Sequence, residues 1–202
     1  MNRTSKAIVA ILAVSILTPV IAANASEIES IRFESRIQTP DTPLELKGVG
    51  LLRYLGFIKA YAGALYLEEG ITVDKALSNR AKRIEVEYLR PFKGEDFGPA
   101  TVKMMEKNVD KETLERIRDQ VDYHNSLYED VAPGDRYALT YVPGKGTELA
   151  LNGTPKGVIE GDEFASALFS IWIGKKPIDK SFKRQIMGPV SYTHLTLPTI
   201  TE

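Results

Sequence analysis

The sequence predicts an α+β domain with a large, mainly antiparallel sheet, and three observations carry that reading. Between Ile31 and Leu67 alternating and apolar stretches follow one another, broken only by prolines and glycines, so strand succeeds strand without a helix. Hairpin chemistry recurs later, at Pro143-Gly144-Lys145-Gly146 and at Asn152-Gly153, the pair best suited to a tight turn with positive φ. Apart from a short helix near 73–79, helical periodicity falls in blocks near 94–128 and 163–187, and does not alternate one-to-one with strands as a parallel sheet requires.

The elements read in order as follows. Ile31 and Phe33 alternate with charged residues, Leu44 and Leu46 do the same, and Pro40 and Pro43 lie between them. Gly48-Val49-Gly50-Leu51-Leu52-Arg53-Tyr54-Leu55 runs to a turn at Gly56, and Phe57 to Leu67 is the longest apolar strand. Strict alternation there puts Phe57, Lys59, Tyr61, Gly63, Leu65 and Leu67 on one face, and Ile58, Ala60, Ala62, Ala64 and Tyr66 on the other. Both faces are largely apolar, which predicts a central strand covered on each side; the alanines leave room for a helix or a ligand. A short helix is expected over Val73–Asn79, and a strand over Arg83–Leu89 that ends at Pro91. A helix then spans about 94–107. A second starts at Asp110 as N-cap, with Leu114, Ile117, Val121 and Tyr128 as its apolar stripe. Strands over Asp135–Val142, Thr147–Leu151 and Lys156–Ile159 precede a nearly all-apolar helix at Glu163–Ile173 and a last helix at Lys180–Met187.

The chain has 202 residues, with 43% hydrophobic and 26% charged residues, enough for one globular core. Its 26 Lys and Arg balance 27 Asp and Glu, so no basic field exists to neutralise phosphates and nucleic acid is not an expected partner. Cysteine is absent, which excludes disulfides, thiolate metal sites, thiol nucleophiles and iron–sulfur clusters.

Both ends differ from the body. Residues 1–25 combine basic Arg3 and Lys6, an apolar run from Ala7 to Ala22, and Ala23-Asn24-Ala25. That is the pattern of a secretory signal peptide cleaved after Ala25, with a retained anchor as the alternative. A periplasmic or secreted domain with no stable membrane span is the expectation. Residues 190–202 show neither helical period nor alternation and are read as a non-native tail, a loosely ordered native one being the alternative. The domain is therefore 26–189. Removing Arg3, Lys6 and Glu202 leaves 24 basic and 26 acidic residues, and His124 as the remaining histidine.

Residue chemistry within the domain is sparse. No G-x-S-x-G occurs, and His124 has no histidine partner for a metal. Gly48-x-Gly50 leads into more strand rather than a helix N-terminus, so structural glycines explain it better than a phosphate loop. No cofactor is implied. Arg53 is the sharper feature. A guanidinium among Leu51, Leu52, Tyr54 and Leu55 needs a carboxylate, carbonyls or an anionic ligand, or must snorkel to the strand edge. With the hydroxyl of Tyr61 on the next strand, it is a candidate clamp for a carboxylate with an apolar tail.

An ordered set of motifs then resembles one family. It runs through Gly48-Val49-Gly50-x-x-Arg53, Lys59-Ala60-Tyr61-Ala62-Gly63-Ala64-Leu65-Tyr66-Leu67 and Tyr88-Leu89-Arg90. It continues with Gly134-Asp135, Tyr141-Val142-Pro143-Gly144-x-Gly146, Asn152-Gly153, Phe164 and Ile171-Trp172-Ile173-Gly174. Over about residues 30–188 the chain is similar to the chalcone isomerase-like superfamily, and closest to its bacterial secreted branch. The resemblance implies an open-faced β-sandwich, a large antiparallel sheet backed by helices, with a ligand cleft between the layers. Plant enzymes of the family cyclise a chalcone to a flavanone. Their strand arginine falls at Arg53, a threonine at Tyr61, the helix tyrosine and asparagine at Phe97 and Met104, and a late threonine near Ser170. Asn108 lies four residues beyond Met104. Non-catalytic relatives, which resemble fatty-acid-binding proteins, use an arginine and a tyrosine to hold a carboxylate.

The leading expectation is therefore a non-catalytic binding module for a fatty acid or similar apolar carboxylate, with Arg53, Tyr61, Lys59, Phe97, Met104 and Ser170 as ligand-binding residues. The alternatives are an isomerase acting on a phenolic enone, and an accessory protein whose cleft is vestigial.

Overall fold

The computed structural model describes residues 25–188. Apart from Ala25, the expected leader lies outside the described residues, as does the expected tail 190–202.

Seven antiparallel strands form the main sheet in sequence order: β3 (Arg36–Gln38), β4 (Pro43–Tyr54), β5 (Ile58–Glu68), β6 (Lys82–Tyr88), β7 (Arg136–Val142), β8 (Gly146–Leu151) and β9 (Thr154–Ile159). A separate hairpin, β1 (Ala25–Ile28) and β2 (Ile31–Glu34), lies against one face. The helices α1 (Gly94–Met105), α2 (Lys111–Arg116), α3 (Arg118–Ser126), α4 (Asp162–Ile173) and α5 (Lys180–Ile186) build the other layer. The α+β, open-faced architecture is as expected, and so is the central placing of β5, which is buried on both sides over most of its length.

Its two faces enter different cores. Tyr61, Leu65 and Leu67 join the helices in the larger apolar cluster, whereas Ala62, Ala64 and Tyr66 join Phe33, Leu44 and Leu46 under the β1–β2 hairpin.

Glycines let the last helix approach. A Cβ on Gly48 would come within 2.4 Å of the Gln185 carbonyl oxygen, and one on Gly63 within 2.8 Å of the Phe182 ring. The Gly48-x-Gly50 motif is therefore a seat for α5, beside a bulge between Leu46 and Gly48.

Two helical expectations change. The helix capped by Asp110, whose side chain accepts the Thr113 N–H at 2.8 Å, breaks at Ile117 into α2 and α3. The helix expected over Val73–Asn79 is one 3₁₀ turn, Val73–Lys75. Beyond it Lys82 is buried: its ammonium donates to the Ser78 carbonyl at 2.6 Å and lies over the Tyr141 ring at 4.8 Å. Burial lowers the pKa of Lys82 to about 8.

Candidate functional site

A cavity of about 460 Å³ opens between the sheet and the helices. Its floor comes from neighbouring strands: Leu52 and Tyr54 on β4, Ile58, Ala60 and Tyr61 on β5, and Tyr88 at the end of β6. Its roof is Phe97, Ala100, Thr101 and Met104 on α1, Ile171 and Trp172 on α4, and Tyr128 beyond α3. Helical spacing places Phe97, Thr101 and Met104 on one face of α1, and α1 lies against α4, so one helix face becomes the ceiling. Buried lining residues such as Leu52, Tyr61 and Met104 mark the inner end; exposed Tyr54, Arg90, Pro91, Asp96 and Ile178 mark the mouth.

The interior is an aromatic box with few polar atoms. Tyr61 meets Phe182 edge-on at 5.4 Å and Tyr88 at 5.9 Å, and Phe97 stacks on Tyr128 at 4.8 Å. The indole of Trp172 donates to the Tyr61 hydroxyl at 3.0 Å. That hydroxyl accepts one bond and keeps its own proton to donate. Burial raises the pKa values of Tyr61, Tyr88 and Tyr128, so all three are protonated hydroxyls at neutral pH. His124 stands behind Tyr128, its Nε2 2.9 Å from the hydroxyl; burial lowers its pKa to about 4 and keeps the ring neutral. The His124 Nδ1 has no hydrogen-bond partner among the described residues.

The cavity's cation is Arg90. Strand alternation through Tyr88-Leu89-Arg90 brings Tyr88 and Arg90 to the same side, and both line the cavity. Among the described residues Arg90 has no ion-pair partner within 4 Å. Asp96 supplies the one carboxylate of the lining, at the mouth.

Of the six residues expected to bind ligand, the structure brings Tyr61, Phe97 and Met104 together in the cavity. It does not bring Arg53, Lys59 or Ser170 there. Arg53 lies between Leu52 and Tyr54 of β4, which line the cavity, so alternation turns it to the opposite face. For Lys59 the cause is a bulge: Leu52 pairs with Tyr61 but Arg53 pairs with Lys59, so Ala60 is an extra residue on β5. One added residue reverses the side-chain order, so Ala60 joins Tyr61 at the cavity, and Lys59 turns away to bind Glu29 of the β1–β2 turn at 2.6 Å. Arg53 is exposed rather than held among the leucines around it, and it is not paired with Tyr61. Ser170 is buried on α4, where its hydroxyl donates to the Ala167 carbonyl at 2.6 Å. Asn108 is a tie: its amide donates to the Met104 and Lys176 carbonyls and accepts the Lys176 N–H, outside the cavity. Sequence reasoning did not assign Tyr88, Arg90, Thr101, Tyr128 or Trp172 to the site. Tyr88-Leu89-Arg90 was legible as a motif, and its two-residue spacing was the available signal.

A search of curated protein sequences finds no match. The structure is similar to the crystal structure of a fatty-acid binding protein from Arabidopsis thaliana, AtFAP1, with a TM-score of 0.61 and 16% identity. That similarity covers 81% of this chain and 96% of the other, and at this identity it establishes a shared fold. A family model described as chalcone isomerase-like matches residues 25–188, nearly the whole described body. The chain belongs to the chalcone isomerase-like family.

Proposed function

We propose that this protein binds a fatty acid or a similar apolar carboxylate without transforming it. The observation that carries the reading is the cavity itself, an apolar, aromatic-lined space of about 460 Å³ with Arg90 unpaired at its mouth. That volume lies within the roughly 300–1,000 Å³ of small-molecule sites. An alkyl chain fits the interior, where tyrosine hydroxyls are few and protonated, and a guanidinium suits a carboxylate left at the opening. The fatty-acid binding title of the similar Arabidopsis structure supports the same cargo class. So do Phe97 and Met104, which present a ring and a thioether to the cavity where the family's enzymes place a hydroxyl and an amide. The expected leader adds an exported location to the proposal, checked by N-terminal sequencing of secreted protein starting at Ser26.

Mass spectrometry of lipids extracted from natively purified protein tests the binding reading. Stoichiometric fatty acid is expected in the wild type, and a marked loss in Ala100→Trp, which places an indole in the cavity mouth. Protein that carries no lipid and takes up none when offered overturns it.

A further inference from the structure

The β4–β5 hairpin does something its folding does not require. Leu55 and Gly56 have φ of 52° and 79° in the three-residue loop between the paired Tyr54 and Ile58. Asn152 and Gly153 have 51° and 78° in the two-residue turn between Leu151 and Thr154. At the second turn asparagine fits the geometry, and its side chain accepts the Arg136 N–H and donates to Asp135, each at 2.8 Å. At the first turn a leucine holds the same left-handed conformation, which is strained for a residue without a short polar side chain. It gains no burial in return, since Leu55 is 66% exposed. Its neighbours Tyr54 and Phe57 are 62% and 74% exposed, and Ile178 across the cavity mouth is 41% exposed. Of the six large exposed hydrophobic residues among those described, Tyr54 and Ile178 line the cavity mouth, and Leu55 and Phe57 follow Tyr54 in the adjoining turn.

The charge around that opening is basic. Residues 53–59 contain Arg53, and Lys59 paired with Glu29 of the β1–β2 turn; Lys175, Lys176 and Lys180 are exposed beside Ile178, with Asp179 engaged as the N-cap of α5. Arg90 adds another cation, and Glu95 and Asp96 are the opposing charges of the α1 start. Arg53, Lys175, Lys176 and Lys180 have no ion-pair partner among the described residues. An exposed apolar turn next to Arg53, with further unpaired lysines beside Ile178 across the mouth, is complementary to an anionic lipid surface, where apolar side chains enter the acyl boundary and cations meet the headgroups.

We infer that the β4–β5 hairpin docks the protein on anionic lipid bilayers with the cavity mouth facing the membrane. Leu55 and Phe57 insert, and Arg53 with the lysines near Ile178 contacts the headgroups. The inference goes beyond the cargo reading and stands without it, since surface docking is measured with no ligand in the cavity.

Co-sedimentation tests it, using vesicles of phosphatidylglycerol and phosphatidylcholine in equal parts against phosphatidylcholine alone at low ionic strength. The wild type is expected to bind the anionic vesicles and to be released by salt. Leu55→Asn combined with Phe57→Ser is expected to weaken binding about tenfold or more. Leu55→Asn by itself relieves the turn, and is expected to raise the melting temperature by about 2–4 °C while lowering vesicle binding. A loss of docking in a more stable protein excludes misfolding as its cause. Arg53→Glu is expected to weaken binding to the anionic vesicles. Fatty-acid affinity measured without vesicles is expected to be unchanged in the double variant. Equal sedimentation of wild type and double variant, or no sedimentation with either vesicle, overturns the inference. So does a wild-type dimer that dissociates in the double variant while neither protein binds vesicles, which would make the tip a self-association surface.

Discussion

The two faces of the seven-stranded sheet treat charge in opposite ways. On the helix side of the sheet the cavity lining is aromatic and aliphatic, and burial holds its tyrosines and the His124 behind them neutral. On the hairpin side a charged network is enclosed. Glu85, 5% exposed, takes Arg83 at 2.8 Å and Arg136 at 3.0 Å; Arg136 also binds Glu87 at 2.6 Å and lies over the Phe33 ring at 4.7 Å. The difference teaches where each kind of work is done. Paired charges lock the β1–β2 hairpin to the sheet, and on the other face a cavity whose charges, Arg90 and Asp96, stand only at the mouth is left for a guest.

The largest expected effect breaks the charged face. Glu85→Ala leaves Arg83 without its carboxylate and Arg136 with Glu87 alone. It is expected to cost about 3 kcal/mol in denaturant unfolding, the low end for a buried pair, because both arginines stay partly solvated. Fatty-acid affinity in the protein that remains folded is expected to be unchanged, because the cavity is on the other side.

The neutral face is probed by pH. The folded-state pKa of His124, about 4, lies below the ordinary 6.5, so above pH 6.5 both states are neutral and stability is full. As pH falls from 6.5 to 4 the unfolded chain takes a proton that the folded protein refuses. Stability then falls by about 3 kcal/mol and levels off below pH 4. Unfolding curves across that window read the slope, and His124→Gln is expected to remove this contribution.

Smaller effects separate the arginines. Arg90→Ala is expected to weaken fatty-acid binding about 10–100-fold in calorimetric titration, the range for a charge-assisted hydrogen bond. Arg53→Ala, on the far side of the bulge, is expected to change it less than about twofold. On stability, Trp172→Phe removes the bond to Tyr61 and is expected to cost about 0.5–1.5 kcal/mol in thermal unfolding.

The same contrast marks how much could be read from residues alone. The run of consecutive strands, the two later hairpins, the Asp110 cap and the double-sided burial of β5 were all legible, because proline, glycine, asparagine and apolar period carry them directly. Phe97, Met104 and Tyr61 were legible as cavity residues through family resemblance. The facing of Lys59 was not, because it depends on the bulge at Ala60, and no residue type there announces one; Arg53 faces away by plain alternation between Leu52 and Tyr54. A period of two transmits a single inserted residue to every position beyond it. The break at Ile117 was hidden for a related reason: the apolar stripe continues across it, and it is the backbone that turns.

Calorimetric titration of wild type, Arg90→Ala and Arg53→Ala, each with a long-chain fatty acid and with its methyl ester, tests the central claim most directly. Wild type and Arg53→Ala are expected to prefer the free acid strongly, and Arg90→Ala to bind acid and ester alike. Acid and ester binding equally to the wild type, or a preference lost in Arg53→Ala and kept in Arg90→Ala, would contradict it.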